Sequence, residues 1–122
     1  MTYGRHMTLD LEDCNTDKLK DLNFLSEFLE QLPTKINMLI ISQPSVFRYK
    51  GKVPEDWGVT GFIIIAESHI SIHTYPEKKY CFVDVFSCND FDTNTTKQYI
   101  INNFEAKSSD VKSVIRGINF PR

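Results

Sequence analysis

Between Gly61 and Ser87 the chain runs through GFIIIAE, HISIHT and YCFVDVFS almost without pause. β-Branched and aromatic residues dominate these runs, which suits half-buried strands. The links between them are too short for the crossover helix that parallel pairing needs, so the runs pair antiparallel. That block commits the chain to a sheet, and the flanking segments have to fold around it.

The flanks supply the rest of the layer. RHMTLDLED alternates Met7, Leu9 and Leu11 with polar residues, as a half-buried strand does. Asn15 or Thr16 can cap DKLKDLNFLSEFLEQL, in which Leu19, Leu22, Leu25, Phe28, Leu29 and Leu32 fall at helical spacing and Pro33 is the stop. NMLIIS and VFRY read as strands, and GKVPEDWG as a loop carrying an exposed Trp57. Thr93 to Phe104 has helical spacing in Tyr99, Ile100, Ile101 and Phe104, and VKSVIRG closes as a strand. The predicted order is βαββ, three central strands, then αβ. This is an α+β fold in which helices cover one face of an antiparallel sheet and leave the other for a partner.

Composition narrows the function. The 122 residues predict one domain, with a core modest enough that oligomerisation would help it. With 14 basic and 16 acidic side chains the net charge is -2, and no basic stripe follows a phosphate backbone, so nucleic acid is not the expected partner. MTYGRHMTLD is not an apolar signal core, and no run approaches the roughly 20 apolar residues of a membrane helix. The expectation is a soluble cytoplasmic protein without membrane contact. Cys14, Cys81 and Cys88 are odd in number and lack CxxC spacing, which argues against a disulfide scaffold.

Reactive side chains concentrate in AESHISIHTYPE, residues 66–77. Ser68 has no glycine neighbour, so it is not a hydrolase elbow. His73 lies five residues further on, and a regular strand would place the two on opposite faces, so cooperation between them requires a bend or bulge. His69 and His73 share a face and could ligate zinc, but no CxxC or carboxylate cluster supplies the other ligands. Cys88 ends YCFVDVFSC on the face of Asp84, opposite Cys81, and a thiol there can reach a pocket. Cys14 reads as a buried or partly exposed spectator. Trp57 and Tyr75 are candidate platforms for a planar ligand. Glu55 and Asp56 suit a cation; Arg5 with His6, and Arg116 beside Gly117, suit an anion.

Taken together, GRH at residues 4–6, GVTG at 58–61, AESHISIHTYPE and DVFSC at 84–88 resemble, in order and spacing, the small prokaryotic S-adenosylmethionine decarboxylase proenzymes. The resemblance implies a protein that cuts itself between Glu67 and Ser68, giving a β chain of residues 1–67 and an α chain of 68–122. Ser68 would attack the Glu67 carbonyl, and elimination from the resulting ester would turn Ser68 into a pyruvoyl cofactor, with no metal. By position, His73 would abstract the α-proton of Ser68 in that elimination. Thr60, where many relatives have serine, would steady the carbonyl oxygen. The pyruvoyl ketone would then form a Schiff base with the substrate amine and act as electron sink, and Cys88 would return a proton to the α-carbon. Glu67, as a new terminus, would contact the substrate ribose, and Trp57 and Tyr75 its adenine. The product would be decarboxylated S-adenosylmethionine, the aminopropyl donor for spermidine.

The same resemblance implies a homodimer, a larger layered sandwich in which each site draws on both chains. Two alternatives stay open on sequence. One is a pyruvoyl enzyme of the same fold acting on arginine or ornithine, cations that Glu55 and Asp56 would suit. The other is a catalytically silent partner subunit, which would not need Ser68, His73 and Cys88 together.

Overall fold

The computed structural model describes residues 2–121. Its strands are β1 (Gly4–Glu12), β2 (Leu39–Ile40), β3 (Ser45–Lys50), β4 (Trp57–Ala66), β5 (Ser68–Tyr75), β6 (Tyr80–Ser87) and β7 (Ser108–Arg116). Its helices are α1 (Thr16–Lys20), α2 (Leu22–Lys35) and α3 (Thr93–Phe104). All seven strands join one antiparallel sheet in the order β2-β4-β5-β6-β1-β7, with β3 beside β2 on the outer edge of β4.

Alternation along the strands divides the sheet into two faces. Met7, Leu9 and Leu11, Val59, Ile63 and Ile65, Ile70 and Ile72, and Val83 and Val85 are buried toward the helices. There they meet Leu25, Phe28, Leu29 and Leu32 of α2 and Ile100 and Phe104 of α3. Fully burying one such side chain is worth about 1.5–3 kcal/mol, so this face carries most of the folding energy. The register places Thr60 opposite His73 and His73 opposite Phe82, on the face the helices leave uncovered.

Several boundaries differ from the sequence reading. The first predicted helix is two helices, because Asp21 is extended and its carboxylate accepts from Phe24 N–H at 3.1 Å, capping α2 as Asn15 caps α1. Pro33 does not stop α2, which runs on to Lys35. NMLIIS shrinks to Leu39–Ile40, since Asn37 has φ +58° and the Ser42 hydroxyl takes the Ile64 N–H that a longer strand would have used. Trp57 belongs to β4 rather than the loop, half-buried on the helix side with its indole N–H donating to Glu77.

The β4–β5 ladder is regular from Ile65↔Ser68 to Thr60↔His73. Beyond it the strands part: Val59 N–H donates to the Thr74 hydroxyl at 2.9 Å, and that hydroxyl donates to Leu19 O at 2.7 Å. Gly58 is needed there, because a β-carbon would collide with the Thr74 carbonyl. Thr74 is fully buried and ties the hairpin to α1. Thr74→Val keeps the shape but strands Val59 N–H and Leu19 O. We expect a loss of about 2–3 kcal/mol, read as a lower urea midpoint with an unchanged slope.

Candidate active site

β4 and β5 are joined by the two-residue turn Ala66–Glu67, so the Glu67–Ser68 peptide sits where the hairpin reverses. The end of β6 lies against this turn. Cys88 N–H donates to Ser68 Oγ at 2.7 Å. Cys88 Sγ accepts from Glu67 N–H at 3.3 Å and lies 3.6 Å from the Ala66 carbonyl it faces as donor. Ser68 is 9% exposed and Cys88 half-buried, while Glu67 is exposed. A hydroxyl oriented by a backbone N–H and a thiol touching the same turn, beside the Glu67–Ser68 peptide, make an arrangement suited to acyl transfer.

The other two proposed participants lie elsewhere. Thr60 Oγ1 and His73 Nδ1 are 3.0 Å apart across the β4–β5 ladder. They lie on the uncovered face, whereas Ser68 points to the helix side. Five strand residues separate Ser68 from His73, about 16 Å at roughly 3.3 Å per residue. The bend expected between them is absent, because every residue from Ser68 to His73 is held in register with β4. The irregularity falls just past His73 instead. Within one chain, Ser68 with Cys88 and Thr60 with His73 are two separate half-sites.

The aromatic candidates are also separated. Tyr75 is on the uncovered face and Trp57 on the other, so they share no platform. The neighbour of Tyr75 is Tyr49, with ring centroids 6.0 Å apart and the Tyr49 hydroxyl donating to Thr74 O at 2.6 Å. Burial and the adjacent Tyr75 raise the Tyr49 phenol above its usual range, so Tyr49 stays neutral. Tyr49 lay inside VFRY and carried no signal of its own; its role as partner to Tyr75 appears only once β3 is aligned on β4.

The remaining charged candidates have partners. Asp56 pairs with Lys78 at 2.6 Å, and Arg5 with Asp90 at 2.8 Å. The Arg116 guanidinium lies 4.4 Å from the centre of the Phe86 ring. Cys14, a spectator by sequence, is 4% exposed, and its thiol together with burial pushes the Cys81 thiol well up. Among the described residues, no group of three or more His, Cys, Asp or Glu side chains is disposed to hold a metal, so His69 and His73 find no third ligand. No helix is long and apolar enough to cross a membrane among those residues.

The family model described as S-adenosylmethionine decarboxylase matches residues 5–117. A protein of Clostridium botulinum (strain Loch Maree) named S-adenosylmethionine decarboxylase proenzyme is 34% identical over 115 residues, spanning 93% of this chain and 94% of its own. One of that name from Thermodesulfovibrio yellowstonii is 37% identical over 116 residues, spanning 94% and 82%. The crystal structure of the adenosylmethionine decarboxylase from Aquifex aeolicus matches with TM-score 0.79 and 32% identity, over 96% of this chain and 92% of that one.

Next to the turn, His69 packs against His6, with ring centroids 6.3 Å apart, and against Phe86 at 5.6 Å. Burial lowers the His69 pKa, aided by His6 and Arg116 and opposed by Asp84. The unfolded histidine titrates near pH 6.5. Below that pH the unfolded chain takes up a proton that folded His69 resists, so stability falls as pH drops through about 6.5. We expect His69→Gln to flatten the plot of Tm against pH between about 7.5 and 5.5; an unaltered slope would assign the sensitivity to another group.

Proposed function

Since the chain belongs to the S-adenosylmethionine decarboxylase family, we propose that it is a self-cleaving proenzyme that decarboxylates S-adenosylmethionine for polyamine synthesis. The observation that carries this reading is the seating of Ser68 Oγ on Cys88 N–H beside the Glu67–Ser68 peptide. Ser68 Oγ attacks the Glu67 carbonyl, exchanging the peptide bond for an ester. Removal of the Ser68 α-proton by His73 then expels the Glu67 carboxylate. Loss of ammonia by hydrolysis leaves a pyruvoyl group at residue 68 and separate chains 1–67 and 68–122.

The residues around the turn fit such a group: Cys88 lies against both sides of the bond that is cut, and the helix-side core holds Ser68 nearly sealed. Once formed, the pyruvoyl group supplies an electron sink for the pair left behind as the substrate carboxylate departs. Cys88 holds a proton at Sγ beside that position and returns it to the substrate α-carbon. Tyr75, with Tyr49, lies beside the Thr60–His73 half-site and offers the aromatic wall for adenine held at the Ser68 of a second copy. Asp56 is engaged by Lys78, which leaves it poorly placed for the cationic side chain of arginine or ornithine.

Thr60 and His73 reach the Ser68 of a second copy rather than their own. Support comes from the separation of the two half-sites and from the uncovered face itself. Phe47, Phe62, Ile64 and Phe82 expose 56%, 39%, 38% and 40% of their surface on one continuous side of the sheet. Two copies packed through this face bury that apolar surface and complete each site with the other's imidazole.

Intact mass of the purified protein tests the central claim: two chains meeting at residues 67 and 68, and a single uncut chain for Ser68→Ala. Cys88→Ala should still cut itself yet lose most carbon dioxide release. Coexpression tests the shared site. Ser68→Ala and His73→Ala are each expected to stay uncut alone, but together to yield cleavage of the His73→Ala chain, whose intact Ser68 meets an imidazole from the other copy. No cleavage in the mixture would mean that both groups act within one chain.

A further inference from the structure

The Glu67 carbonyl has a donor in its own chain. The Tyr3 hydroxyl donates to Glu67 O at 3.1 Å. Tyr3 is fixed from behind by the far end of the chain: its N–H donates to the carbonyls of Arg116 at 2.9 Å and Gly117 at 3.1 Å. Its ring meets Phe120 edge-on at 4.9 Å and Phe86 at 5.8 Å. Gly117 has φ +69°, and a β-carbon there would strike Tyr3 Cβ. The phenol is thus placed by backbone hydrogen bonds, two aromatic contacts and a glycine that makes room for it.

That carbonyl oxygen is where charge develops when a nucleophile adds to the carbon. We infer that the Tyr3 hydroxyl is a catalytic donor in self-cleavage, stabilising the oxygen of Glu67 as Ser68 Oγ adds to its carbon. The inference rests on the self-cleaving reading above and adds a donor from the same chain to the hydroxyl that Thr60 of a second copy would bring. In the step, the Oγ–C bond forms and the C–N bond of Glu67–Ser68 breaks. The hydroxyl proton of Ser68 ends on the freed amine of the same residue. Tyr3 keeps its proton throughout. Its hydrogen bond strengthens as the oxygen passes from carbonyl to oxyanion, which lowers the barrier more than it stabilises the uncut chain.

Tyr3→Phe deletes the hydroxyl while keeping the ring. The full-length wild type, Tyr3→Phe, Gly117→Ala, Ser68→Ala and His73→Ala are made by cell-free synthesis, and cleavage is followed by intact mass with and without hydroxylamine, which cuts any ester already formed. We expect Tyr3→Phe to cleave roughly 10- to 1,000-fold more slowly than wild type. Hydroxylamine should not restore its rate, because the slowed step precedes the ester. For His73→Ala, blocked after the ester, hydroxylamine should produce cutting. Gly117→Ala, which displaces the ring, should behave like Tyr3→Phe, and it serves as the test if Tyr3→Phe does not keep the wild-type Tm. Cleavage of Tyr3→Phe at the wild-type rate, or its full recovery in hydroxylamine, overturns the donor role. A wild-type chain that never cleaves overturns instead the reading on which it rests.

Discussion

The β4–β5 ladder is the constraint on which the rest of the site depends. It closes on a two-residue turn with Ile65 opposite Ser68, and from there each residue's face is settled by the pleat. A slip of one residue would send Ile63, Ile65, Ile70 and Ile72 into water, so the core enforces the register. The same register holds Ser68 toward the helices and His73 away from them. Packing energy supplied by residues with no chemistry therefore decides which chemical groups can meet.

What is gained is rigidity at the Glu67–Ser68 peptide, the bond proposed to be cut. The turn is bounded by Cys88, just past β6, and by Tyr3 at the β1–β7 end of the sheet, so the Glu67 N–H is held by the Cys88 thiol and its carbonyl by the Tyr3 phenol. Groups on strands of a packed sheet keep their positions better than groups on loops. The uncovered face carries a second, polar device: His6 and His69 flank Phe86 across β1, β6 and β5, with Asp84 beside His6 and the Arg116 guanidinium over Phe86, one row away from the turn.

The layer architecture was legible because it follows from periodicity. The alternation of β1 and the unbroken β-forming runs of β4 to β6 could be read directly, and the strand order along the chain came out as predicted. Boundaries were less legible where a single polar side chain competes with the backbone, as Asp21 does between α1 and α2 and Ser42 does beside β4. In the site, the Ser68–Cys88 contact could be anticipated from motifs, whereas Tyr3 and Tyr49 could not. Each comes from a distant segment brought alongside by strand pairing, and neither has a local pattern that distinguishes it from a packing tyrosine. The bend that cooperation of Ser68 and His73 within one chain would require is absent: the pleat of β5 keeps these two residues of one motif on opposite faces.

The strand order has one further consequence. A cut after Glu67 assigns β1 to β4 to one product and β5 to β7 to the other, yet in the sheet β1 lies between β6 and β7, and β5 lies against β4. The fragments are interleaved like the fingers of two hands. Neither can leave without opening three ladders and the shared core, so cutting the backbone loosens the chain only at the hairpin tip. On the self-cleaving reading, the molecule would sever its own covalent continuity and remain, mechanically, a single body.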